Sequence, residues 1–169
     1  AVEAFRGPVG VRIGAAGSLQ FVEGVLNVGE AMSPPAIHAV KSAAPAAELT
    51  ILDCPPGTSC PVIEGVRGCD LLLLVTEPTP FGLHDLKLAV EMARALRLKF
   101  GVVVNRADSG DRQVWDFCRR QRITILAEIP DDRAVAEAYS RGELAAEAVP
   151  HVAERIGGLL EAIRPGAHV

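Results

Sequence analysis

Leu71-Leu72-Leu73-Leu74-Val75-Thr76 and Phe100-Gly101-Val102-Val103-Val104-Asn105 are two uninterrupted apolar runs, each closing on a polar residue. Runs of this length without alternation suit strands buried on both faces, as in a parallel sheet. Between them, Leu83, Leu86, Val90, Ala93 and Leu96 recur at spacings of three or four, while Lys87, Glu91 and Arg94 fall elsewhere. That pattern predicts an amphipathic helix over residues 83–98. Strand, helix and strand in this order make a βαβ unit with a right-handed crossover.

The same rhythm extends outward. Residues 49–53 and 123–129 read as further buried strands. Residues 111–121 read as a helix whose apolar side is Val114, Phe117 and Cys118, and residues 131–141 and 151–163 as two more. The fold class is therefore α/β, a mostly parallel sheet with helices on both faces. The first 48 residues differ. Residues 9–14 and 19–28 read as two short strands joined by Gly14-Ala15-Ala16-Gly17, and the alanine-rich stretch from Pro34-Pro35 to Ala47 as a helix. A single domain over residues 1–169 is expected, with a short β and helical segment (1–48) ahead of a βα core (49–169).

Composition narrows the function classes. Hydrophobic residues make up 49 % of the 169, enough for a packed core. Lys and Arg number 17 against 21 Asp and Glu, a net charge of −4 that argues against a nucleic-acid partner. No apolar run approaches the roughly 18 residues of a membrane span. Cys54, Cys60, Cys69 and Cys118 include no C-x-x-C pair, so no zinc knuckle or iron–sulfur run is encoded. Residues 1–10 carry charge and no apolar stretch, so no secretory signal is expected; reduced thiols and a cytoplasmic location follow as expectations.

Chemistry concentrates in Ile51-Leu52-Asp53-Cys54-Pro55-Pro56-Gly57. An apolar run ends on a carboxylate and breaks at once into Pro-Pro-Gly. Ligands of open parallel sheets sit beyond the carboxyl ends of strands, where Asp53 could hold magnesium and Gly57 could bring its N–H to a phosphate. The alternative is that Asp53 caps the turn and the prolines merely stop the strand.

Asp53-Cys54-Pro55-Pro56-Gly57 resembles the second switch of the MinD/ParA group of P-loop ATPases. The resemblance continues in order through Arg67-Gly68-Cys69-Asp70, Leu71 to Thr79, Phe81 to Leu86, Val102-Val103-Val104-Asn105-Arg106-Ala107-Asp108 and Glu128-Ile129-Pro130-Asp131-Asp132. With Asn27-Val28-Gly29-Glu30-Ala31-Met32 it is similar to the subgroup carrying a ferredoxin-like insert, within the wider CobQ/CbiA/MinD superfamily. The resemblance implies that Asp53 contacts Mg2+ through water, that Gly57 senses the γ-phosphate, and that Asn105 reads the adenine. Ile129, Pro130 and Asp131 would line the base. ATP and Mg2+ are the implied cofactors, and a homodimer with an iron–sulfur or redox protein partner the implied assembly. The implied function is an ATP-dependent switch. The alternatives are an amidating synthetase of the CobQ/CbiA type and a non-catalytic α/β interaction domain.

One feature departs from the family. No Gly-x-x-x-x-Gly-Lys-Ser/Thr loop occurs in the sequence, and neither do the cysteine motifs of the insert. The chain is therefore expected to be a C-terminal portion that does not hydrolyse ATP by itself. Lys41-Ser42 is preceded by Val40 rather than glycine, so Lys41 reads as a solvated helix residue. Cys60 reads as a small buried hydrophobe, with a redox or metal role as the alternative. Asp85 is expected to cap the helix that His84 enters. His38 and His151 read as surface residues, and Trp115 as packed.

Overall fold

The computed structural model describes residues 3–5, 10–25 and 34–164. The chain divides into two compact units, residues 1–68 and 69–169.

In the second unit, β4 (Leu72–Thr76), β5 (Phe100–Asn105) and β6 (Ile125–Ile129) form a parallel sheet in that order. The central strand β5 is the best buried, with Val102 and Val104 fully enclosed and Val103 nearly so. α3 (Pro80–Ala95) and α4 (Gln113–Gln121) make the two crossovers. Leu83, Leu86 and Val90 of α3 and Val114, Phe117 and Cys118 of α4 pack with Leu74, Val102 and Val104 into one core. The expected apolar stripes are thus the buried ones, except that Leu96 is the half-buried C-cap of α3. A bulge between Val102 and Val103 shifts the β5–β6 register, and Leu126 occupies the space over Gly101 where a side chain would stand. α5 (Arg133–Ser140), α6 (Ala145–Ala148) and α7 (Pro150–Ile163) complete the unit, with Ala145, Val149 and Val152 forming a smaller cluster.

In the first unit, β1 (Glu3–Phe5), β2 (Gly10–Ala16) and β3 (Leu19–Val25) form an antiparallel sheet. β2 and β3 are joined by the two-residue turn Gly17-Ser18, with Gly17 at φ 59. The expected connector is therefore shorter, because Gly14, Ala15 and Ala16 all pair within β2. α1 (Pro34–Ala43) packs on β3, where Val40 and Ala36 crowd Gly24. It ends earlier than the alanine-rich composition predicts. α2 (Cys60–Val66) was not expected; Pro61 opens it and Arg67 ends it. Asn27 to Met32 lies outside the described residues.

The strand expected at residues 49–53 is not formed. The segment is irregular, and Ile51 is 73 % exposed. No described strand pairs with it. Apolar composition makes a strand only where neighbouring strands satisfy its N–H and C=O groups; without them water does so.

Candidate functional site

The carboxyl ends of β4, β5 and β6 lead into three loops that are tied to one another. Asn105 and Ile129 are register partners at the last rung of the sheet. The next residue, Arg106, takes a left-handed conformation (φ 53), which turns its side chain across the loops. Its Nη2 donates to Asp131 Oδ2 at 3.1 Å, and its Nη1 lies 3.9 Å from Glu77 Oε2. The hydrogen bond to Asp131, then the charges of Asp131 and Glu77, raise the Arg106 pKa above its ordinary value. The group is fully ionised in any case.

Backbone groups complete the brace. Ala107 N–H donates to the Ile129 carbonyl at 2.9 Å, and Asp131 N–H donates to Asp108 Oδ1 at 2.6 Å. Asp111 N–H donates to Pro78 O at 3.3 Å, bringing the loop after β5 to the loop after β4. Gly110 is required there, since its φ is +74 and any Cβ would overlap the Pro78 carbonyl. Thr76 Oγ1 donates to Gly82 O at 2.9 Å, and Gly82 N–H donates to Thr79 Oγ1 at 3.0 Å, fixing the start of α3.

Within this frame Asn105 is half-buried, and its side-chain amide makes no hydrogen bond to another described residue. It retains two N–H donors and an acceptor oxygen at the sheet edge. Asp131 lies beside it, but its carboxylate is engaged by Arg106 and its N–H by Asp108. Pro130 is half-buried between Ile129 and Asp131. The sequence motif contained Arg106, Asp108 and Glu77, yet pattern alone assigned them no part. A charged residue just past each of three strand ends was the available signal.

Asp53 and Gly57 belong to the other unit. Asp53 is exposed on the irregular segment, and Gly57 is exposed at φ 93 with open space around it. Neither ends a strand. Among the described residues there is no group of three or more His, Cys, Asp or Glu side chains placed to hold a metal ion. A lone carboxylate suits only an ion held chiefly by phosphate oxygens and water.

Three expectations about single residues change. Lys41 is not a free solvated side chain: Nζ donates to the carbonyls of Glu64, Gly65 and Arg67 at 3.2, 3.0 and 2.7 Å. It thereby satisfies the orphan acceptors at the end of α2. Cys60 is exposed rather than buried, because it is the first residue of α2. The cap of α3 is Thr79, which precedes the helix; Asp85 lies inside it and is exposed beside His84. His151 is exposed as expected, but its Nε2 lies 3.1 Å from Asp132 Oδ2, whose Oδ1 caps α5. His38 is exposed on α1. Trp115 is packed, between the Arg112 guanidinium at 4.3 Å and a hydrogen bond to Glu128 at 2.9 Å.

No family model matches the chain. Two uncharacterized proteins of Methanocaldococcus jannaschii are similar to it. MJ0579 is 33 % identical over 97 residues, 57 % of this chain and 32 % of that protein. MJ0578 is 30 % identical over 143 residues, 83 % of this chain and 49 % of that protein. The chain thus spans half or less of the length of these relatives. Among solved structures, the MinD cell division protein of Aquifex aeolicus superposes with a TM-score of 0.56 at 20 % identity, over 69 % of this chain and 52 % of that one. The fold is MinD-like. No described helix is long and apolar enough to cross a membrane.

Proposed function

We propose that this chain is part of a nucleotide-binding ATPase and supplies the base-reading side of its site. The observation that carries the reading is Asn105: its amide bonds to no other described residue, in a loop frame where the Arg106 and Asp131 side chains bind each other and Asp108 accepts from the Asp131 N–H. An amide with both donor and acceptor free, at the carboxyl end of a central parallel strand, suits the edge of an adenine ring. Because Arg106 occupies the Asp131 carboxylate, Asp131 contributes backbone atoms to the base, as do Ile129 and Pro130.

The phosphate side of the reading needs a Gly-x-x-x-x-Gly-Lys-Ser/Thr loop, which we place upstream in a longer protein. There Asp53 would hold Mg2+ through water and Gly57 would sense the γ-phosphate. The metal would supply charge neutralisation on the phosphates. In that longer protein we assign an ATP-dependent switch, working as a homodimer on an iron–sulfur or redox partner.

Titration of the isotopically labelled 169-residue chain with adenosine tests the base side. Amide shifts at Asn105, Ile129 and Asp131 at millimolar ligand, lost in Asn105→Ala, are expected. Shifts confined to other parts of the chain would overturn the assignment. Steady-state assays of the same chain should show no ATP turnover, and magnesium-dependent hydrolysis would overturn the upstream placement of the phosphate loop.

A further inference from the structure

The amino end of the same sheet carries a different chemistry. α3 and α4 close there with matching caps. Arg97 (φ 55) and Arg122 (φ 53) both take the left-handed conformation. After α3, Leu98 N–H donates to Ala93 O at 3.0 Å; after α4, Ile123 N–H donates to Cys118 O at 2.9 Å. Glycine is the residue such caps favour, and arginine is strained in it. The third described non-glycine residue at positive φ is Arg106, whose charge meets two carboxylates. Among the described residues, Arg97 and Arg122 have no such partner.

Between the two caps lies a recess of about 310 Å³. Its cations are Arg94, Lys99 and Arg122, and its apolar wall is Leu98, Phe100 and Ile123. Arg94 is held in place by Gln121, donating to its Oε1 at 2.8 Å and its carbonyl at 3.2 Å. Both partners are neutral, so the guanidinium charge is positioned without being compensated. Among the described residues no ion pair engages Arg94, Arg97, Lys99 or Arg122. The nearest pair on α4, Arg119 with Asp116, leaves this group untouched.

We propose that this recess docks an acidic, partly apolar segment of a partner protein. Carboxylates would meet the forked guanidinium groups of Arg94 and Arg122, and an apolar side chain would cover Leu98, Phe100 and Ile123. A long polyanion fits less well, because the net charge of −4 makes the rest of the surface repel one while the cations cluster at this edge. The two strained caps place arginines where glycine would relax the chain. Removing the Arg122 side chain therefore separates binding from folding.

The test uses the 169-residue chain and a soluble glutamate-rich peptide carrying one leucine. Binding should shift the amides of residues 97–100 and 122–124 and weaken as salt rises. Arg122→Gly should keep or raise the melting temperature while weakening the peptide about tenfold, and Arg94→Gln should weaken it similarly. Unchanged affinity in Arg122→Gly, or a lowered melting temperature with it, overturns the proposal. So does inorganic phosphate that matches the peptide's affinity, which would mark a small-anion site, or a single-stranded DNA that binds more tightly. Asn105→Ala should leave peptide binding unchanged, so the outcome stands apart from the nucleotide reading.

Discussion

Residues 49–53 and the strand Phe100–Asn105 are built alike: a short apolar run that stops on a polar side chain. One is irregular with Ile51 at 73 % exposure; the other is the central strand, with Val102 and Val104 at 0 %. The difference lies in their neighbours. β5 has a ladder on each side, to β4 and to β6, and one of its faces is covered by α3 and α4. Residues 49–53 have no described strand beside them. β4 is the intermediate case: paired with a described strand on one side only, it leaves Val75 66 % exposed in the middle of an apolar run. Strand formation here follows pairing and cover, and composition sets only the capacity for it.

The largest expected consequence is in backbone exchange. Amides of Val103 and Val104 should exchange only on global opening, with protection of about 10⁴-fold or more, while those of Ile51 and Leu52 should exchange almost as in an unfolded chain. Equal protection measured by hydrogen–deuterium exchange would erase the contrast. In a longer protein that supplied the proposed phosphate loop, protection at Ile51 would sharpen it, marking a strand completed by added neighbours.

Thiol labelling probes the same contrast through side chains. Cys118 packs against β5 at 1 % exposure, and burial pushes its pKa above the usual 9.0. Alkylation needs the thiolate, so iodoacetamide should modify exposed Cys60 long before Cys118. The native core keeps the Cys118 proton where the unfolded chain would release it, so this contribution is complete below the ordinary thiol pKa. It is lost as pH climbs through the raised value. Melting curves that improved with rising alkaline pH would contradict it.

Substitution effects should rank accordingly. Val104→Ala should cost about 2–3 kcal/mol by leaving a cavity between β5 and α3, whereas Ile51→Ala should stay within about 0.5 kcal/mol. Urea unfolding of both variants decides the matter. A smaller effect is expected in the first unit, where Lys41→Met removes the donor serving Glu64, Gly65 and Arg67. A loss of about 1–2 kcal/mol is expected, visible as faster exchange confined to residues 60–66. The smallest should be Arg12→Ala, which removes a surface pair with Glu23 in which both side chains are largely solvated. Its effect should fall below about 0.5 kcal/mol in a thermal melt.

The βαβ rhythm of residues 71–129 could be read along the chain, because buried apolar runs and helical spacing are local signals that the packing did not overrule. The stripes of α3 and α4 and the polar stop at Asn105 were legible for that reason, whereas the MinD-like fold was legible only through the resemblance of the ordered motifs. The structure alone decided what depends on contacts distant in the chain. Lys41 became a cap because the end of α2, some two dozen residues later, presents three carbonyls to it. Asp131 gave its carboxylate to Arg106 because a left-handed turn after β5 aims the guanidinium at it. Residues 49–53 remained irregular because pairing is a property of two segments, and a pattern read along one segment cannot report whether the other is there.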